Sequence, residues 1–554
     1  MRFDQITAET PTESGLAAAY RALHAELDAG AVGPAIDAWE ALRRDHGTWS
    51  SLVHLRFSQD TADPARKAAR EFADALGPVV ADHETTFKAR LLGVDPAPLE
   101  ARFGAHALAM WRNDVTTFRP EIAADLETES RLAADYTALL ASARIAFDGQ
   151  TLNLSGLGPY AESPDRAVRH DAAAARWAFF AEHGATLDDL YDRLVKLRHR
   201  IARTLGDASF TALAYRRMGR LDYGPAEVAT YREEVRRHVV PLVARLMERR
   251  RAENGLDRLM AWDEPMIDPE GNPKPVGGRA VLEQAATEMF AAMDPRLDAF
   301  YRAMREGGFM DLDNRPAKAG GGFCTSFPSI GMPFIFANFN GTHHDVDVFT
   351  HEMGHAFQNY MSRQQPVSDY FWPTMEAAEI HSMSLEFLAH PHIAPMFGAA
   401  TARYRRMHLI GALEFLPYGV CVDHFQHEIY ADPDLTPADR HAIWRRLEQL
   451  YLPWRDWGDL AYPAMGGRWQ AQMHIYRSPF YYIDYTLAQC CALQFWVASQ
   501  RDERAAFDTY VNLCALGGSR PFGGLVAAAG LVSPFTPGAL RDAVRAAAQA
   551  LDLS

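Results

Sequence analysis

What this sequence has least of narrows it first. Only five cysteines occur in 554 residues, at positions 324, 421, 490, 491 and 514. Their number is odd, no CxxC pattern appears, and the adjacent Cys490 and Cys491 make a poor disulfide pair. Free buried thiols in a reducing, cytoplasmic compartment are expected. No apolar run is long enough to cross a bilayer: GGLVAAAGLV at 523–532 is about half a span and reads as core. Residues 1–16, MRFDQITAETPTESGL, hold no basic stretch followed by an apolar one, so no secretory signal is expected. Positive charge is also short. A formal net charge of −15 argues against nucleic acid or an anionic membrane as partner, since both want a basic face. Internal repeats and low-complexity tracts are missing. The glycine-rich KAGGGFCTSF (318–327) lacks the GK[ST] ending of a phosphate loop, so nucleotide binding is not expected there.

What is present is long helical periodicity. A chain of this length is too large for one simple core, and two or three lobes are the natural expectation. Residues 15–143 carry helical patterns rich in Ala, Leu, Arg and Glu, such as RKAAREFADALGPVV. IAFDGQTLNLSGL (145–157) interrupts them with two short alternating runs around Asp148-Gly149, which predicts a tight hairpin. SPDRAVR (163–169) restarts a helix, with Ser163 as its expected cap and Pro164 at the first position. Two more long helices are expected to about residue 205. EPMIDPEGNPKPVGG (264–278) is a loop, GMPFIFANFNG (331–341) is β-prone, and the remainder is again helical. The expected class is mainly α with a few short strands.

The chemistry concentrates in VDVFTHEMGHAFQNYM (346–361). Asp347, His351 and His355 recur every four residues and form one stripe along a helix. Gly341-Thr342 offers a cap, and Asp345 and Asp347 place acid in the first turn. Two imidazoles one turn apart can chelate a tetrahedral Zn²⁺, with Glu352 beside the open position. A third histidine in the HExxHxxGxxH arrangement is absent, because Gln358 and Met361 occupy the relevant positions. WPTMEAAEIHSMSLEFLAH (372–390) instead supplies Glu376, Glu379 and Glu386 among apolar neighbours. Glu379 and Glu386 are seven apart and share a face, so one could bind metal while the other orients a ligand histidine. The residues alone leave that choice open.

HIYRSPFYYIDYTLAQ (474–489) reads either as an aromatic packing stripe or as donors for an oxyanion, from His474, Tyr481, Tyr482 and Tyr485. DHFQHEIY (423–430) holds His424 and His427 without an evident third ligand, and reads as helix surface or core. PFIFANFNG is either a buried core strand or an exposed strand edge.

GGGFCTSF, PFIFANFNG, HEMGHAFQ and WPTMEAAEIHSMSLEF, in that order, resemble the thimet oligopeptidase/oligoendopeptidase F family of zinc peptidases, the Pz-peptidase type of bacterial oligoendopeptidase above all. The resemblance covers about 200 to 554 strongly and the N-terminal helices loosely. It implies a two-lobed helical metallopeptidase with a deep central channel and a few short strands near the zinc. An N-terminal lobe, 1–200, would roof a catalytic lobe, 201–554. One zinc ion per chain would be held by His351, His355 and Glu379, the last matching the first glutamate of the family's E-x-x-S-x-x-x-E pattern. Glu352 would activate a zinc-bound water, and Asp347 and Glu386 would hold the histidines. His474, Tyr482 and Tyr485 would stabilise the oxyanion. Tyr481, Phe336, Asn338, Gly321 and Gly322 would contact substrate, with PFIFANFNG as an exposed edge that pairs with an extended peptide and the glycine stretch as a mobile flap. The implied activity is a zinc-dependent endopeptidase cutting internal bonds of short peptides. The alternatives are a non-catalytic peptide-binding protein with a structural metal, and a zinc exopeptidase. The exopeptidase needs a charged anchor for a peptide terminus, and no such anchor is evident in the sequence.

Overall fold

The helical periodicity near the N-terminus is realised as four helices with a core of their own. The structure is a computed structural model that describes residues 2–553. Helices α1 (Glu13–Asp28), α2 (Val32–Gln59), α3 (Pro64–Leu91) and α4 (Pro96–Thr117) come first. Asp63 and Asp95 each cap a helix whose first residue is proline, which pairs a side-chain acceptor with a residue that has no N–H to satisfy. Leu23, Trp39, Phe87, Phe103 and Trp111 pack between them, separate from the main core.

Helix α5 (Ala123–Ala141) leads into the hairpin of β1 (Ile145–Phe147) and β2 (Gln150–Leu152). Asp148 and Gly149 turn it with φ of 48° and 70°, the left-handed pair that a two-residue turn demands. One 39-residue helix, α6 (Arg166–Thr204), stands where two were expected. Its cap is Asp165, whose carboxylate accepts from the Ala167 N–H. Ser163, the expected cap, accepts from the Asp165 N–H one step earlier, so Pro164 lies outside the helix.

Three strands form the second sheet: β3 (Met310–Asp313), β4 (Phe323–Phe327) and β5 (Met332–Phe339). Their order is β3-β5-β4, with β5 parallel to β3 and antiparallel to β4. This corrects one expectation. The PFIFANF run is the central strand, and the edges are β3 and β4, the latter formed by the glycine-rich stretch folding back over it. Phe336 is fully buried, stacked on Phe323 with centroids 4.7 Å apart and covered by the Lys318 ammonium at 4.4 Å.

Helix α7 (His344–Ser362) follows, then α8 (Met375–Leu388), α9 (Thr401–Ala431), the short α10 (Met473–Arg477) and α11 (Tyr482–Ser499). Helix α8 packs against both α7 and α11. It is buried nearly all round, with Glu376, Glu379, its histidine and its serines included. The chain is mainly α, and no helix among the described residues is long and apolar enough to cross a membrane.

The connection between α7 and α8 belongs to both cores. Val367 and Tyr370 insert into the N-terminal cluster. Arg43 donates to both oxygens of Asp369 at 2.7 and 2.9 Å, with Lys88 3.6 Å away and the Trp111 indole N–H at 3.3 Å. Ser368 donates its N–H and hydroxyl to Glu40 at 2.7 and 2.6 Å. Burial alone would raise the Asp369 pKa, yet Arg43 and Lys88 hold it well below the usual carboxylate range. A depressed folded-state pKa stabilises the fold above the unfolded pKa, and the gain is lost as pH falls through the folded one. Asp369→Asn should therefore cost about 2 kcal/mol near neutrality, because Arg43 and Lys88 lose the acid they share and keep only Glu40, Glu84 and Asp114. In urea unfolding across pH, the gap to the parent should hold above about pH 5 and close below about pH 4.

Candidate metal centre

Gly354, inside the HEMGH segment, brings together the two helices that carry the candidate ligands. A Cβ built there would lie 2.5 Å from the carbonyl oxygen of His381 and 2.6 Å from Cα of Ser382, both backbone atoms of α8. Only a residue with no side chain allows the two backbones to approach this closely. The approach carries Glu379 beneath the histidines. Its Oε2 lies 3.2 Å from His351 Nε2 and 3.4 Å from His355 Nε2. These three donor atoms all lie within 4.8 Å of one another. A tetrahedral zinc with ligands at about 2.0 Å has donor–donor edges of about 3.3 Å, so the spacing fits. Two imidazole nitrogens and one carboxylate oxygen are also a zinc donor set.

Two of the three donors are aimed by a partner, while His355 Nδ1 is buried without one among the described residues. Glu386 accepts from His351 Nδ1 at 2.7 Å, which leaves Nε2 for the metal. Ser382 donates to Glu379 Oε2 at 2.9 Å, and Tyr481 donates to its Oε1 at 3.0 Å. Glu352 is buried beside them, and its Oε2 has no hydrogen-bond partner among the described residues. Burial pushes its carboxyl above the ordinary range.

Across the site, the His474 ring lies 5.0 Å from Tyr482 and 5.8 Å from Tyr485, centroid to centroid. Tyr418 donates to Gln472 Oε1 at 2.8 Å, and Gln472 Nε2 donates to His474 Nδ1 at 2.8 Å. That chain leaves the His474 proton on Nε2. Burial, with Arg477 nearby, pushes the His474 pKa down to about 4, and burial raises both tyrosines. All three are neutral donors near pH 7. His351, His474, Tyr482 and Tyr485 line one cavity of about 440 Å³, whose other walls include Met383, Met407 and Phe415.

The sequence matches the profile of peptidase family M3 over residues 159–270 and 290–543, and that of the M3 N-terminal domain over 3–118. The chain belongs to peptidase family M3. Solved structures agree with that membership. A protein assigned as oligoendopeptidase F is 45% identical, with a TM-score of 0.95 over 100% of this chain and 99% of its own. Pz peptidase A, solved with an inhibitor, is 40% identical with a TM-score of 0.95, again over 100% and 99%. A protein assigned as oligoendopeptidase F from Bacillus anthracis is 38% identical, with a TM-score of 0.90 over 100% and 98%. No curated protein matches the chain.

Within this M3 peptidase some expected residues take other places. Asp347 holds neither ligand histidine: it accepts from His343 Nδ1 at 2.7 Å and from the Tyr404 hydroxyl at 2.6 Å. Asn338 donates to the carbonyls of Ala319 and Gly321, at 2.9 and 2.8 Å, and so fastens the glycine stretch. Tyr481, expected to contact substrate, donates its hydroxyl to Glu379. Gly321 has φ of 89°, a left-handed value that suits glycine. A Cβ at Gly322 would lie 2.8 Å from Val348 Cγ1 and 3.5 Å from Glu352 Oε1, so this backbone lies directly over the glutamate. His424 and His427 bond Tyr451 and Tyr215 and bring no third donor.

Sequence reasoning missed three contributors. His408 donates to the second oxygen of Glu386 at 2.8 Å and is bonded in turn to His390 at 3.1 Å. Ser382 was visible only as part of a pattern, and Gln472 carried no signal at all. Glu386→Gln should weaken zinc binding about 10- to 100-fold, read by competition with a chromophoric chelator. Gly354→Ala should drive the two helices apart. It should cost about 1–3 kcal/mol in thermal unfolding and weaken zinc retention as well.

Proposed function

We propose that this M3 peptidase is a zinc-dependent endopeptidase that hydrolyses internal bonds of short peptides. The observation that carries the reading is the convergence of His351, His355 and Glu379 beside the unpartnered carboxylate oxygen of Glu352. A zinc ion held by those three residues supplies Lewis acidity, making water a stronger acid and polarising the scissile carbonyl.

The chain's own residues do the rest. Glu352 takes the proton of the attacking water and hands it to the leaving amine. His474, through Nε2–H, and the hydroxyls of Tyr482 and Tyr485 donate to the developing oxyanion. Tyr481, Ser382 and Glu386 hold the ligands in place. The outer edge of β4 has no strand partner among the described residues. An extended peptide pairing there lies beside Gly322 and thus over Glu352, with main-chain bonds giving affinity and little side-chain selectivity. The segment 1–200 acts as a lobe roofing the channel over 201–554, which restricts substrates to peptides thin enough to enter. Pz peptidase A and the oligoendopeptidase F assignments among its structural relatives support this substrate class. All five cysteines are free, four of them buried, which supports a reducing cytoplasm as the working compartment.

The test joins metal analysis to mass spectrometry of a mixed peptide library, incubated with and without chelator. Internal cleavage that chelation abolishes and zinc restores is the expected result; peptide binding at full zinc without cleavage would sink the reading. Glu352→Gln should retain zinc and lose about three orders of magnitude in kcat/KM.

A further inference from the structure

Buried arginines in this protein are paired with acids. Arg198 meets Glu129, Arg220 meets Asp484, Arg232 meets Asp423, and Arg440 meets Asp192. Two break the rule. Arg176, on α6, and Arg468, six residues before His474, have no ion pair and no side-chain hydrogen bond to any described residue. Both guanidinium groups approach the Trp177 ring, at 5.9 and 5.8 Å from its centroid. Burial, and then Arg468, pushes the Arg176 pKa down to about 10, so the two cations share one poorly solvated space. That space is a cavity of about 250 Å³. Two further arginines line it and are already satisfied: Arg169 pairs with Asp263 at 2.8 Å, and Arg455 pairs with Glu264 at 2.5 Å.

Two unneutralised guanidinium groups in one cavity, in a chain of net charge −15, are costly unless something anionic completes them. The planar, many-donor guanidinium matches a carboxylate in particular. The cavity also lies next to the site. Arg468 sits 4.8 Å from the Tyr418 ring centre, Tyr418 lies 5.8 Å from Tyr482, and Tyr482 lies 5.0 Å from His474. An extended peptide advances ~3.3 Å per residue, so the cavity is within roughly five residues of the scissile bond.

We propose that Arg176 and Arg468 form an anchor for a carboxylate of the peptide substrate, carried by its C-terminus or by an acidic side chain. The inference rests on the peptidase reading above and deepens it. An anchor several residues from the metal sets where a short peptide is cut by measuring from its end, without making the enzyme an exopeptidase.

The test uses the full chain and a length series of peptides, each made as free acid and as C-terminal amide. Affinities are measured by fluorescence anisotropy on the Glu352→Gln protein, and kcat/KM on the parent. At one length or more, the acid should bind about 10- to 100-fold more tightly than the amide. Arg468→Gln or Arg176→Gln, added to the Glu352→Gln protein, should bring that ratio to about one. Amidated peptides ending in glutamate identify the source: recovered affinity assigns the anchor to a side chain, and no recovery assigns it to the C-terminus. Equal binding of acid and amide at every length, with both peptides cleaved by the parent, would overturn the anchor and leave the peptidase reading standing. Acid-selective binding without cleavage would do the reverse. The acid–amide comparison needs no arginine variant, so a misfolded one does not spoil it.

Discussion

The backbone contact between α7 and α8 at Gly354 is the constraint on which the centre depends. Two histidines on one helix can present nitrogens, but they cannot make a zinc site without an oxygen donor from elsewhere. The third donor must arrive from a second helix at a distance set to within a few tenths of an ångström. With no Cβ at 354, the carbonyl of His381 and Cα of Ser382 press against α7, and Glu379 Oε2 comes within 3.4 Å of both nitrogens. Shape sets this geometry before any metal is present. Around it the protein adds directional bonds, from Glu386 on one side and from Ser382 and Tyr481 on the other.

The same logic runs outward. Glu386 has two oxygens and uses both, one on His351 and one on His408. His474 is fixed by Gln472, which is fixed by Tyr418. Each step restricts a proton to one atom, so the site presents its donors ready-made. Tyr418 stands at a junction: its hydroxyl sets the Gln472 amide, and its ring lies between Tyr482 and the Arg468 guanidinium.

How far the sequence could be read follows from how local each feature is. The histidine pair, Glu352 and the Asp148-Gly149 hairpin depend on spacings of a few residues, and those are legible. Glu379 lies on a different helix; residue patterns offered it equally with Glu386, and family resemblance was needed to choose. Asp347 lies on the same stripe as His351 and His355, so its place looked secure. His343 and Tyr404 take its two oxygens instead, and Tyr404 comes from α9, which helical periodicity cannot position. PFIFANF was expected at a sheet edge, but strand order is a tertiary property. An apolar run buried on both faces is in fact what a central strand looks like. Arg176 and Arg468 are 292 positions apart (468 − 176), and nothing in either neighbourhood distinguishes them from surface arginines.

The connection between α7 and α8, residues 363–374, has a consequence for inheritance. Each of the two helices gives the candidate centre at least one donor, yet the chain between them is held by the N-terminal four-helix core through Val367, Tyr370 and Asp369. Neither part is a portable module. Recombination that discarded or exchanged residues 13–117 would leave an apolar plug and a lone buried acid on the connection, with nothing to receive them. The first helices and the connection are therefore bound to change together or not at all.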